Sequence, residues 1–151
     1  MKSLIQNEIL GIIALQETLK NLPMYEVETT NILFVLPLLF NKKIRGLLKD
    51  RRITFLSSKD LIVSYPEIFL GLRNIYLDTA IASLNTLILA QDISMVSVND
   101  SRVTLESPPF PYITMKEYGK IAAEISSAAP NVAKILQENP TELHLNFRID
   151  V

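Results

Sequence analysis

The stretch AIASLNTLILAQDISMVSVNDSRVTLE, residues 80–106, changes its period halfway along. In its first half Ile81, Leu84, Leu87 and Ile88 recur every three or four positions, the spacing of one helix face, and Asp78 or Thr79 can cap the start. The spacing predicts a helix with those four side chains as its buried stripe. In its second half ISMVSV and RVTLE are rich in β-formers and flank the turn tripeptide Asn99-Asp100-Ser101. They predict a hairpin, with Val96 and Val103 opposed. A helix followed by a two-stranded ribbon is the closing half of a winged helix-turn-helix.

Upstream, Ser64 and Glu67 have capping-box spacing with Pro66 in the first turn, and open a helix through Gly71 and Arg73 whose inner face is Ile68, Leu72 and Ile75. ITFLSSKDL before it suits a short strand and then a helix capped at Ser57 or Ser58. Residues 32–40, ILFVLPLLF, are apolar on every side, which in a helix means burial. Pro37 should bend that segment, because it removes an amide donor and crowds the carbonyl of Leu33. The run falls short of the roughly 20 residues a membrane span needs. KKIRGLLKD then reads as a short helix with Ile44, Leu47 and Leu48 inward, weakened by Gly46. At the start, Ser3 and Gln6 form a capping box, and Ile5, Ile9, Ile12, Leu15, Leu19 and Leu22 mark one amphipathic helix until Pro23. MYEVETT reads as a polar turn.

Downstream, SPPFPY is an extended connector, since its prolines deny helix and ladder alike. It separates residues 1–107 from residues 108–151. Thr114 and Glu117 cap a helix carrying Ile121, Ala122 and Ile125 and ending before Pro130; Val132, Ile135 and Leu136 mark a last short one. In the tail, Leu143, Leu145, Phe147, Ile149 and Val151 alternate with His144, Asn146, Arg148 and Asp150, the pattern of a half-buried strand whose edge could accept another. The expected fold is mainly α: a winged-helix-like helical domain with a β-hairpin wing over residues 1–107, and a C-terminal helical extension plus terminal strand over residues 108–151, packing on the same core.

A chain of 151 residues, 48% apolar and 21% charged, with a formal charge of −1, is a globular balance for one core. The absence of cysteine excludes disulfides, thiolate metal sites and cysteine nucleophiles, and fits a reducing compartment. His144, the only histidine, falls on the polar side of the tail strand, where it reads as solvated. The four glycines, Gly11, Gly46, Gly71 and Gly119, are isolated in helical patterns and build no phosphate-cradling loop. The nearest carboxylate groupings, Glu26 with Glu28 and Asp92 with Asp100 and Glu106, sit in turns or on the hairpin as surface charge. We therefore expect neither an enzyme nor a cofactor or metal. MKSLIQNEILGIIALQ lacks a signal peptide's form, so the expected location is cytoplasmic.

Charge is concentrated in one place. Lys42, Lys43, Arg45, Lys49, Arg51 and Arg52 lie within eleven residues that hold a single acid, Asp50. The run is either a solvated helix face or a surface that docks phosphate or an acidic protein. By contrast, the helix before the wing carries only Asp78, Thr79, Ser83, Asn85, Thr86 and Gln91 as polar residues, and the hairpin adds Asp92, Asp100 and Glu106 against Arg102. A DNA-reading helix would carry arginine or lysine there, so a protein-binding winged helix fits better than the alternative, a stand-alone DNA-binding regulator.

Three blocks in fixed order, EILGIIALQETL, LPLLFNKKIR and PEIFLGLRNIYLDTAIASLN, resemble the middle component of bacterial three-component ABC systems. The resemblance spans about residues 7 to 106, and its motif residues are Leu36, Pro37, Leu38, Lys42, Arg45, Gly71, Arg73 and Thr79. It implies a small non-catalytic adaptor, partnered by an SMC-like ABC ATPase and a further subunit, in systems directed against foreign DNA. Weak or indirect DNA contact and homo-oligomers fall within that expectation; a membrane does not. The chain departs from the family pattern at its end, where NPTELHLNFRIDV continues past the helix that follows the wing.

Overall fold

The computed structural model describes residues 4–149, with side-chain positions from Glu8 onward. The proposed Ser3–Gln6 capping box, Ile5, Asp150 and Val151 lie outside those limits. Helix α1 (Leu4–Lys20) buries Ile12, Leu15 and Leu19, and a single 3-10 turn (Pro23–Tyr25) leads into strand β1 (Glu26–Glu28). This strand lies in the segment read from sequence as a polar turn. It pairs antiparallel with β3 (Arg102–Leu105), which pairs with β2 (Val96–Asn99), giving the order β1-β3-β2. Helix, strand, helices and then a hairpin that takes the first strand as its third member is a winged-helix-like arrangement. The wing turns on two residues, Asp100 and Ser101, both at positive φ. Val103 therefore faces Val98, and Val96 faces Leu105, two residues along from the expected Val96–Val103 pairing.

Between β1 and the wing run α2 (Thr29–Ile32), α3 (Val35–Phe40), α4 (Lys42–Leu48), α5 (Ser58–Ser64), α6 (Pro66–Phe69) and α7 (Leu72–Asp92). The break between α2 and α3 falls at Leu33 and Phe34, one turn ahead of Pro37, because proline cannot donate to the carbonyl four residues before it. Residues 53–55 make no strand, whereas Ser57 caps α5 as expected, accepting from the Asp60 amide while Asp60 accepts from the Leu56 amide. Gly71 separates α6 from α7 instead of lying inside one helix. α7 then runs unbroken through Asp78 and Thr79, and the Thr79 hydroxyl donates back to the Ile75 carbonyl at 2.7 Å rather than capping a new helix.

After the wing, Thr114 caps α8 (Met115–Tyr118), Gly119 at φ 95° turns the chain, and α9 (Lys120–Leu136) continues without interruption past Pro130. The two helices expected on either side of that proline are one. The terminal strand is not formed: residues 140–146 are helix α10 (Pro140–Asn146), with the Asn139 side chain accepting from the Thr141 and Glu142 amides. Leu143, Phe147 and Ile149 are buried, and so is His144, whose Nδ1 lies 2.7 Å from the Pro140 carbonyl oxygen. Its ring meets Phe34 edge-on at 4.9 Å, in a cluster that also holds Tyr76, Phe147 and Phe69. Burial pushes the Tyr76 hydroxyl above its usual pKa.

α9 is the shared neighbour of α1, α3, α4 and α8. Its Ile125, Ala128, Val132 and Ile135 are fully buried, and α1 packs along it. Asn131 donates to the Leu48 carbonyl, Lys134 to the Phe55 carbonyl, and Ser126 to Glu17. Buried Asn31 donates to the carbonyls of Leu136 and Glu138, closing the C-terminal end of α9. Gln16 of α1 pairs with the backbone of Phe110 in both directions, at 2.7 and 2.8 Å, and so pins the proline-rich connector.

Candidate docking site

Leu36 and Leu38 are almost fully buried and Pro37 is buried beside them, so the apolar block packs the interior and orients α4 behind it. Asn41 caps α4 by accepting from the Ile44 amide at 3.0 Å. From that cap, the helical period turns Ile44, Arg45 and Leu48 inward and leaves Lys42, Lys43 and Gly46 exposed.

The six cations of the basic run do not form one surface. Arg45, expected outside, is only 6% exposed: its guanidinium contacts Glu124 of α9 at 3.1 Å and donates to the carbonyls of Leu39 and Phe40. Lys49 meets the other oxygen of Glu124 at 2.6 Å. Hydrogen bonding from Lys49, and then from Arg45, holds the Glu124 carboxyl below the usual glutamate range. Arg52 folds onto Asp50 with both nitrogens at 3.0 Å and lowers its pKa, out in solvent. Lys42, Lys43 and Arg51 remain, exposed and without an ion pair among the described residues. The run is thus part clamp and part corner. Two of its cations fasten α4 to α9, two more are presented outward on the helix so fastened, and Arg51 is exposed in the turn beyond it.

The other motif residues are divided as well. Gly71 stands exposed before α7, with open space where a Cβ would project. Arg73 is exposed in the first turn of α7, and Thr79 is half-buried in its own backbone bond.

The wing does not add positive charge. Arg102 lies across β1 and β3 with its guanidinium on Glu26 at 3.1 Å and Glu28 at 3.0 Å. No group of three or more histidine, aspartate or glutamate side chains among the described residues is placed to hold a metal ion. No helix among them is long and apolar enough to cross a membrane.

The largest difference from the sequence reading is on α7. Its core side is Leu72, Ser83, Thr86, Leu87 and Ala90. Leu77, Ile81, Leu84 and Ile88 are 53, 75, 50 and 55% exposed. Of the four side chains expected in the buried stripe, Leu87 alone is inside; Ile81, Leu84 and Ile88 face solvent. Leu70, just ahead of α7, is 86% exposed; Ile93, just past its end, is 48% exposed and lies with Ile9, Ile12 and Pro109 on the α1 side, away from that stripe. The signal that could have found this face is its own spacing of four, three and four residues, together with the second, smaller and more polar series on the opposite side. Glu124 had no such signal, since its partners lie more than seventy positions away in the chain. Comparison with protein-family models, with curated proteins and with solved structures gives no match.

Proposed function

We propose that this protein is a non-catalytic adaptor of the cytoplasm, the assembly subunit of a three-component ABC system in which it joins an SMC-like ATPase to a further subunit in defence against foreign DNA. The observation that carries the docking part of this reading is the exposure of Lys42 and Lys43 on α4, a helix that Arg45, Lys49 and Glu124 hold fast to α9, with Arg51 exposed in the turn that follows it. A cationic surface on a rigid support meets an acidic partner surface with little ordering cost. The three-block resemblance supplies the identity of that partner.

The rival, a DNA-binding regulator, would use the same corner on phosphates. It is less favoured because the exposed residues of α7 from Asn74 onward are apolar, amide or acidic, and because Arg102 of the wing is engaged by two glutamates. The test is co-expression with the ATPase encoded beside this chain, followed by affinity purification and mass spectrometry. The wild type should retain the ATPase, and K42E/K43E/R51E should lose it at an unchanged melting temperature. An ATPase that never co-purifies removes the adaptor reading. Retention of duplex DNA at low salt, lost in the same triple variant, would put the regulator in its place.

A further inference from the structure

We propose that the outward face of α7 is a homodimer interface, on which two copies of this chain pair α7 against α7 in parallel. The inference does not rest on the adaptor reading. α7 spans 21 residues, about 31 Å at 1.5 Å per residue. Along its solvent side the spacing is that of a coiled-coil seam. Asn74, Ile81 and Ile88 occupy one heptad position, a, and Leu77, Leu84 and Gln91 occupy the other, d. All six are exposed.

The pattern also selects its occupant. β-branched isoleucine at a with leucine at d favours two parallel strands, and one asparagine at an a position sets the register of such a pair. In that arrangement every seam residue meets its own copy: isoleucine on isoleucine, leucine on leucine, and the two Asn74 amides side by side. A self-complementary patch of this kind closes as a two-fold dimer and leaves no apolar surface open for further growth. The flanks allow it. Asp78, Asn85 and Asp92 stand on one side of the seam; on the other, Ala80 is half-buried and Leu87 is turned into the core. Parallel pairing sets the acids of one copy opposite this uncharged side of the other, so no like charges meet there.

Leu77, Ile81, Leu84 and Ile88, half to three-quarters exposed, form one continuous apolar stripe rather than scattered surface residues, the kind of patch that marks an interaction site. The opposite side of α7, with Ser83, Thr86 and Ala90, is already committed to the core, so pairing requires no rearrangement of the fold.

Sedimentation equilibrium of the full chain at sub-millimolar concentration should give twice the 17.0 kDa of one copy. I81E/L84E should give one copy, with an unchanged far-UV circular dichroism spectrum in dilute solution. Leu145→Glu, at an exposed leucine on α10, should leave the dimer intact. Orientation is read separately, on a chain that contains no cysteine of its own. Q91C should oxidise to a covalent dimer, because parallel pairing places the two copies of position 91 together; antiparallel pairing moves them to opposite ends. A wild type that stays monomeric, or a dimer that survives I81E/L84E, overturns the proposal. A dimer that Q91C fails to trap overturns the parallel arrangement. If the wild type is monomeric and I81E/L84E instead loses the co-purified ATPase, the face belongs to that partner; the dimer then fails while the adaptor reading stands.

Discussion

α7 and α9 both carry aliphatic residues at helical spacing, and they turn them in opposite directions. In α9 the large side chains Ile125, Val132, Ile135 and Leu136 are buried, and Lys120, Ser127 and Pro130 face water. In α7 the core receives Ser83, Thr86 and Ala90 along with Leu72 and Leu87, and the solvent receives Leu77, Ile81, Leu84 and Ile88. Periodicity locates an apolar face on each, but which side of a helix is turned inward depends on how close its neighbours come. α1 approaches α7 at Gly11, where an added Cβ would lie 2.8 Å from the Thr86 Oγ1. At such a crossing only small side chains fit on both partners, so α7 offers its small series to the core.

The sharpest way to break this contrast is to make one substitution in both helices. Ile125→Ala should remove about 2–5 kcal/mol of stability, because it empties a fully enclosed site, and should lower the urea midpoint accordingly. Ile81→Ala, measured in dilute solution, should stay within about 0.5 kcal/mol of the wild type. Equal losses at the two positions would mean that α7 is not oriented as described.

Gly11→Ala tests the cause of the orientation. In an open helix the change is favourable, yet here overpacking against Thr86 should cost about 1–3 kcal/mol. Thr86→Ala in the same chain should recover most of the loss, a coupling that a thermal-melt double-mutant cycle measures directly.

A smaller effect belongs to the Glu124 clamp, the polar counterpart of α9's apolar packing. Its carboxyl is held below the ordinary value of 4.5, so the folded state binds its proton less readily than the unfolded chain does. The stabilisation is complete above that ordinary value and is lost as pH falls through the lower folded value. Glu124→Gln should cost on the order of 1 kcal/mol at neutral pH, the modest size reflecting water's access to Lys49. The variant should also show a shallower decline of melting temperature in acid than the wild type.

Much of the fold was legible because local rules acted without competition. The cap at Ser57, the cap at Thr114, the buried run around Leu36 to Leu39 and the β-hairpin each follow from a few adjacent residues. Where two local rules conflict, tertiary packing decides between them. In the tail, strict alternation suggested a strand, but Asn139, Pro140 and Glu142 together form a helix start of cap, first-turn proline and first-turn acid, and the helix prevails by burying Leu143, His144 and Phe147 on the Phe34 cluster. At Pro130 the boundary rule yielded to packing, with Ala128, Ala129, Val132 and Ala133 all enclosed around an exposed proline. The docking site was legible only as composition. Which of six neighbouring cations would be spent on an acid supplied by a helix some eighty positions later is a tertiary fact, and the positions that remain outward, Lys42, Lys43 and Arg51, emerge only once Glu124 is in place.

The dependence of the early helices on α9 has a consequence for how the chain is made. At about 5–20 residues per second, a ribosome releases α1 several seconds before α9. Throughout that interval the side of α1 that packs on α9 lacks its cover, and the carbonyls of Leu48 and Phe55 await donors that have yet to be translated. Closure of the core on α9 therefore comes only after all the earlier helices have been made. Truncation anywhere before α9 should yield nascent chains held by chaperones rather than a smaller folded body.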